Sequence, residues 1–218
     1  MSQEYLARRW SALILLCAAQ FVVVLDASIV NVALPSIGRG LHFSEANLPW
    51  VVNAYVIAFG GFLLLGGRAA DLLGRRRVFM AGLLVVAVAS LLAGFAANQG
   101  QLIAARAAQG LGAAIISPSA LSIVTTLFRD GVERNKALGA WGAVAGSAGA
   151  AGVLLGGILT EGLGWEWVLW VNVPVSLIAL ALTPGLIPES RSESATRHYD
   201  AAGAPQTSFR ARAAGCLP

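Results

Sequence analysis

Six long apolar runs, separated by short polar stretches, set the pattern of this 218-residue chain. They fall at about 11–36, 48–67, 78–97, 102–128, 137–160 and 167–187, each near the ~20 residues that carry a helix across the hydrocarbon core of a bilayer. Only the first and fourth runs hold a formal charge well inside, Asp26 and Arg106. The expected fold class is therefore all-α and integral to the membrane. Residues 11–190 form six transmembrane helices, with 1–10 and 191–218 as flanking segments.

The basic residues orient these helices. Arg8 and Arg9 precede the first run, Arg68 and Arg75 to Arg77 lie between the second and third, and Arg129, Arg134 and Lys136 between the fourth and fifth. Arg191, Arg197, Arg210 and Arg212 follow the sixth. All of these share one side, and only Arg39 sits on the other. Basic loops stay cytoplasmic, so both termini are expected there, in a multi-pass protein of the cell (inner) membrane. Tryptophans agree. Trp10 and Trp141 fall at cytoplasmic ends of runs, and Trp50, Trp165, Trp167 and Trp170 at outer ends, where aromatic belts form.

Composition narrows the function classes. Hydrophobic residues make up 57% and charged residues 12%, against the quarter or so charged in soluble domains. The net charge of +4 comes from short loops between apolar runs, which argues against nucleic acid as a partner. Cys17 and Cys216 give no disulfide framework, and His42 and His198 no ligand spacing, so neither metal nor cofactor is expected. No catalytic cluster appears among the ionisable residues.

Two segments match at a fixed offset, Gly66 to Val78 and Gly156 to Val168. Each reads Gly-Gly, three residues, an acid, one residue, Leu-Gly, three residues, Val. Each joins the second and third helices of a three-helix unit. Three is odd, so the second unit enters the membrane from the opposite side. The expected architecture is two inverted three-helix repeats, an arrangement of secondary transporters.

At these residues the sequence resembles the major facilitator superfamily, and within it the fourteen-helix drug:proton antiporter branch. The segment Gly67-Arg68-Ala69-Ala70-Asp71-Leu72-Leu73-Gly74-Arg75-Arg76-Arg77 is similar to the superfamily's G-x-L-A-D-R-x-G-R-[RK] motif, departing at Ala69 and Leu72. Leu25-Asp26-Ala27-Ser28-Ile29-Val30-Asn31-Val32-Ala33-Leu34-Pro35 resembles L-D-x-T-I-V-N-V-A-L-P of that branch. Arg106-Ala107-Ala108-Gln109-Gly110-Leu111-Gly112 is similar to R-x-x-Q-G-x-G. Gly152 to Gly157 resembles the end of the antiporter motif, with Ala148-Gly149 where Gly-Pro is usual. The resemblance implies the amino-terminal half of a major facilitator fold and a transporter, not an enzyme. It implies proton-coupled efflux of drugs or other small amphipathic compounds. It also implies that Gly67, Asp71, Gly74, Arg75 and Arg76 form a cytoplasmic latch loop between the two halves.

The candidate site residues follow. An ionisable group within a span is costly unless paired, solvated or protonated, and marks a pathway by default. Asp26 lies roughly 15 Å and Arg106 roughly 8 Å from the outer surface, at about 1.5 Å per residue, so the two charges can meet across the inverted units. A carboxylate with a movable Arg partner is suited to proton coupling, and a static ion pair fixing helix packing is the alternative. Gln109, Gly110, Ala113 and Ser117 continue the Arg106 face towards Pro118, which should bend the fourth helix; with Asn31 they are candidates for lining a cavity. Gly142, Gly146, Gly149, Gly152, Gly156 and Gly157 form a glycine seam for close helix contact.

The expected partners are protons, a small-molecule substrate, the lipid bilayer, and an absent carboxyl-terminal half or a second copy in a homodimer. After Gly203-Ala204 the chain loses family style, which is read as truncation or a frameshift. The competing functional class is a half-transporter that moves nothing, or that acts only by assembly.

Overall fold

A computed structural model describes residues 3–128 and 131–190. Its helices are α1 (Gln3–Gly40), α2 (Trp50–Leu73), α3 (Arg75–Gly94), α4 (Gln99–Leu127), α5 (Gly131–Gly162), α6 (Glu166–Trp170) and α7 (Asn172–Leu186), with no strand among the described residues. Taking α6 and α7 as one span, six helices are long and apolar enough to cross a membrane. The expected tail of 191–218, with its reading as truncated or frameshifted, lies outside the described residues.

Two local features differ from the apolar pattern. The second helix runs on to Leu73, so Arg68 and Asp71 are helical. The sixth span is broken at Val171, between α6 and α7. Pro174 explains the break, because it lacks the N–H that would bond the carbonyl of Trp170. The fourth helix stays helical through Pro118. Its N-terminus is capped reciprocally: Asn98 accepts from the N–H of Gln101, and the Gln101 side chain accepts from the N–H of Ala97. The first bond satisfies a donor that the first helical turn leaves free, and the second ties down the residue before the cap.

The outside, unlike that of a soluble protein, is apolar. Ile14, Leu64, Leu154 and Ile158 are exposed, as lipid contact requires. Lipid tails are as apolar as leucine, so burial cannot hold such helices together; close packing has to. The helices alternate in direction. One end gathers Arg9 with Glu133, Trp10 against Phe128, and Arg76 with Glu189. The other gathers Asn47 with Gln99, and Phe95 with Trp170.

The repeat is visible in both backbone and packing. The two glycines with positive φ among the described residues are Gly74 (φ 107°) and Gly164 (φ 108°). They occupy the same place in the two matching segments, each turning the chain out of the second helix of its unit. In packing, α2 lies against α4 as α5 lies against α1. These are the same contact with the units exchanged. Gly66 brings α2 onto the backbone of Ala114 and Ile115, and its counterpart Gly156 brings α5 onto Ile29 and Val32. Two inverted three-helix units therefore form one body, each holding the other's first helix.

Candidate functional site

The interior of this body is layered. One apolar cluster contains Leu16, Phe79, Leu83, Ile116, Ile123 and Phe128. A second contains Ile29, Ile37, Val51, Leu102, Val168 and Leu169. Between them along α1, α3, α4 and α7 lie Asp26, Ser90, Arg106, Gln109 and Asn172, each buried. Lipid-facing helices thus enclose a polar layer drawn from both units.

The layer centres on the Asp26 carboxylate, 2% exposed. Arg106 Nη1 donates to Asp26 Oδ2 at 2.6 Å. Asn172 Nδ2 donates to Asp26 Oδ1 at 2.6 Å, and Gln109 Nε2 to the same oxygen at 3.3 Å. Gln109 is itself fixed, accepting from Arg106 Nη1 at 2.9 Å and donating to Ser90 Oγ at 2.8 Å. Arg106 Nε donates to the Val51 carbonyl at 3.1 Å, and its guanidinium sits 4.5 Å from the centroid of the Tyr55 ring, a cation–π arrangement. Tyr55 is held by its hydroxyl on the Val23 carbonyl at 3.0 Å. Charges taken out of water persist only when paired and hydrogen-bonded, and here the partners come from α1, α2, α3, α4 and α7.

Asp26 and Arg106 are thus in direct contact, and Gln109 touches both. Nothing in the hydrophobic pattern or the motifs singles out Asn172, Ser90 or Tyr55. For Asn172 one signal existed: an amide two residues before Pro174, at a predictable helix break.

The other cavity-lining candidates scatter. Gly110 lies under the backbone of Tyr55, and Ala113 is in the apolar core. Ser117 Oγ donates to Gln20 Oε1 at 3.2 Å. Asn31 is exposed and donates to its own helix at the Ala27 carbonyl, 2.8 Å away. Only Gln109 among them joins the Asp26 layer.

The latch segment is not a loop. Gly67 and Asp71 belong to α2, Arg75 and Arg76 begin α3, and Gly74 alone separates them. Arg75 bridges Asp71 at 3.3 Å and donates to Thr126 Oγ1. The same turn is clasped to the segment after α7. Glu189 accepts the N–H of Arg76 at 3.2 Å and lies 3.6 Å from both the Arg76 and Arg77 Nε atoms. The Arg75 N–H donates to the Ser190 carbonyl at 3.0 Å. A carboxylate at the first turn of α3 also complements the helix dipole.

The glycine seam divides into two. Gly152 and Gly156 are buried against α1, and the carbonyl of Gly149 accepts from Ser28 Oγ at 2.9 Å. A methyl group built on Gly142, Gly146, Gly149 or Gly157 would meet nothing within 4 Å. At roughly 100° of turn per residue, Gly146 and Gly157 fall on the side of α5 adjacent to that of Gly152 and Gly156. One side packs and the neighbouring side is open.

Comparisons with known proteins fit this architecture. The chain is 50% identical to the puromycin resistance protein pur8 of Streptomyces alboniger, over 90% of this chain and 39% of that protein. It is 49% identical to the cephamycin export protein CmcT of Amycolatopsis lactamdurans, over 83% and 37%. It is 35% identical to the tetracenomycin C resistance and export protein of Streptomyces glaucescens, over 90% and 36%. The chain thus spans less than two fifths of these relatives' lengths. Among solved structures, its fold matches a bacterial homologue of the human lysosomal transporter Spinster in an inward-facing state. The TM-score is 0.69 at 21% identity, covering 87% of this chain and 45% of that one. It also matches a peptide transporter, POT, with a TM-score of 0.71 at 15% identity, over 79% and 37%. A family model described as Major Facilitator Superfamily matches residues 16–211, and the chain belongs to that superfamily.

Proposed function

We propose that the chain is the amino-terminal six-helix half of a secondary active exporter that couples efflux of small organic compounds to proton movement. The observation that carries this reading is the Asp26 carboxylate, buried at the junction of the two repeat units and paired with Arg106 at 2.6 Å. Ionised, Asp26 holds α4 and α7 to α1 through charge-assisted hydrogen bonds. A proton on it removes the charge that anchors Arg106, and the two units lose their strongest polar tie. Proton binding and relative movement of the units are then one event. The relatives' names, which speak of resistance to or export of puromycin, cephamycin and tetracenomycin C, support drug-like substrates.

In this reading both termini are cytoplasmic, the membrane is the cell's inner one, and the Asp71–Arg75 and Glu189–Arg76 contacts close the cytoplasmic end. Asn31 and Ser117 border the transport path, Gly110 and Ala113 pack behind it, and the open glycines of α5 receive the carboxyl-terminal half. Vesicle transport tests the reading. The chain is reconstituted alone, and also fused to the carboxyl-terminal half of a puromycin resistance protein, with an imposed pH gradient and puromycin as the probe. The fused protein is expected to move puromycin against its gradient, and to stop when the pH gradient is collapsed. Flux that ignores the pH gradient would refute proton coupling. A chain that moves nothing alone but is restored by the fusion marks the six helices as a half.

A further inference from the structure

Two residues that grip Asp26 each carry a buried polar atom with no hydrogen-bond partner among the described residues, Arg106 Nη2 and Asn172 Oδ1, and so does Ser176, one turn along α7, at its Oγ. Arg106 and Asn172 are fully buried, and Ser176 is 1% exposed. The first two atoms belong to the same guanidinium and amide groups that grip the Asp26 carboxylate. Ser176 follows Asn172 by four residues, so the two side chains are neighbours on one face of α7. Further along that face Thr183 is also buried, but its hydroxyl already donates to the Ala179 carbonyl at 2.6 Å. On α7 the unmet hydrogen bonds therefore fall at Asn172 and Ser176.

Their chemistry selects the ligand. Arg106 Nη2 can only donate, Asn172 Oδ1 can only accept, and Ser176 Oγ does either. A metal cation would be repelled by the guanidinium and could not accept from it. An anion would face the Asp26 carboxylate and the Asn172 oxygen. Water accepts from one neighbour while donating to two others, and buried waters characteristically make about two to four such bonds. The apolar clusters on either side separate this layer from bulk solvent. We propose that Asn172 Oδ1, Ser176 Oγ and Arg106 Nη2 hold a resident water beside Asp26, and that this water exchanges the proton with the carboxylate. In the exchange the water hands one proton to an Asp26 oxygen while taking another from solvent water admitted when the two units part, so that it stays neutral beside the guanidinium; the reverse step returns the proton. The exchange rests on the proton-coupling reading; the water site itself does not.

Solid-state NMR on the isotope-labelled chain in lipid bilayers tests both. Water-to-protein magnetisation transfer is expected at the Asn172 side-chain amide and at Ser176. Ser176→Ala is expected to remove that transfer at Asn172, and Thr183→Val, on the same face, to leave it intact. No transfer in the wild-type chain, or transfer unchanged in Ser176→Ala, would overturn the site. The remaining resonances show whether each variant is folded. The Asp26 Cγ shift, followed with pH in the same samples, separates the two ideas. If it never moves, the proton-coupling reading fails while the water site stands or falls on transfer alone. If it moves, Ser176→Ala should slow its exchange several-fold, and an unchanged exchange rate would overturn the water's role as proton partner.

Discussion

Arg106→Leu is expected to destabilise the folded chain by about 3–5 kcal/mol, the penalty for leaving one charge of a buried pair without the other. The size follows from the surroundings. Asp26 is 2% exposed and Arg106 0%, so bulk solvent cannot replace the guanidinium. Asn172 and Gln109 remain as donors to Asp26, but neither carries charge. The same variant leaves the Val51 carbonyl without the Nε donor and Gln109 Oε1 without the Nη1 donor. Unfolding by SDS in mixed micelles, followed by tryptophan fluorescence, measures the loss. The double variant Asp26→Asn/Arg106→Leu should recover a substantial part of it, because the remaining groups are neutral. If the effects of the two single variants simply add in the double variant, the pair is not coupled.

Gly66→Ala is expected to destabilise by about 1–3 kcal/mol, as overpacking does, while Gly61→Ala, five residues earlier on the same helix, is neutral or stabilising. A methyl group on Gly66 would overlap the Ala114 carbonyl oxygen. That oxygen cannot withdraw into its helix bond, because residue 118 is proline and has no N–H to offer it. The obstacle is backbone, so relief requires moving α2 away from α4. On Gly61 the same methyl meets nothing within 4 Å, and alanine has the higher helix propensity. The inverted repeat adds a parallel pair. Gly156→Ala presses on the Ile29 carbonyl and Val32, whereas Gly157→Ala points into open space. Destabilisation at Gly66 and Gly156, with none at Gly61 and Gly157, is the expected result of the same unfolding measurement. Equal effects at Gly66 and Gly61 would mean that α2 does not approach α4 at Gly66.

The helices were readable from the sequence because a bilayer permits few alternatives. Every backbone polar group must bond within its own span, so an apolar run of the right length is a helix. The repeat was readable because Gly74 and Gly164 are the positions where the backbone needs φ values of 107° and 108°, a conformation that other residues seldom adopt. Asp26 and Arg106 stood out as isolated charges within apolar runs. The rest depended on which helix faces which. Asn172, Ser90 and Tyr55 are ordinary neutral residues until α7, α3 and α2 are brought around α1. The glycines of α5 look alike in sequence, and only the position of α1 separates Gly152 and Gly156 from Gly142 and Gly146. Glu189 lies far along the chain from the arginines it clasps, and no local pattern ties it to them.

On the proposed mechanism Asp26 does more than hold helices together: it couples proton binding to their movement. The most direct test is Asp26→Asn in the fused transporter, assayed in two ways in the same vesicles. Asparagine keeps the shape and can still hydrogen-bond Arg106, but it takes up no proton. Accumulation driven by a pH gradient is expected to disappear, while exchange of labelled for unlabelled puromycin without a gradient persists. Loss of both activities in a folded protein, or retention of gradient-driven accumulation, would contradict the mechanism.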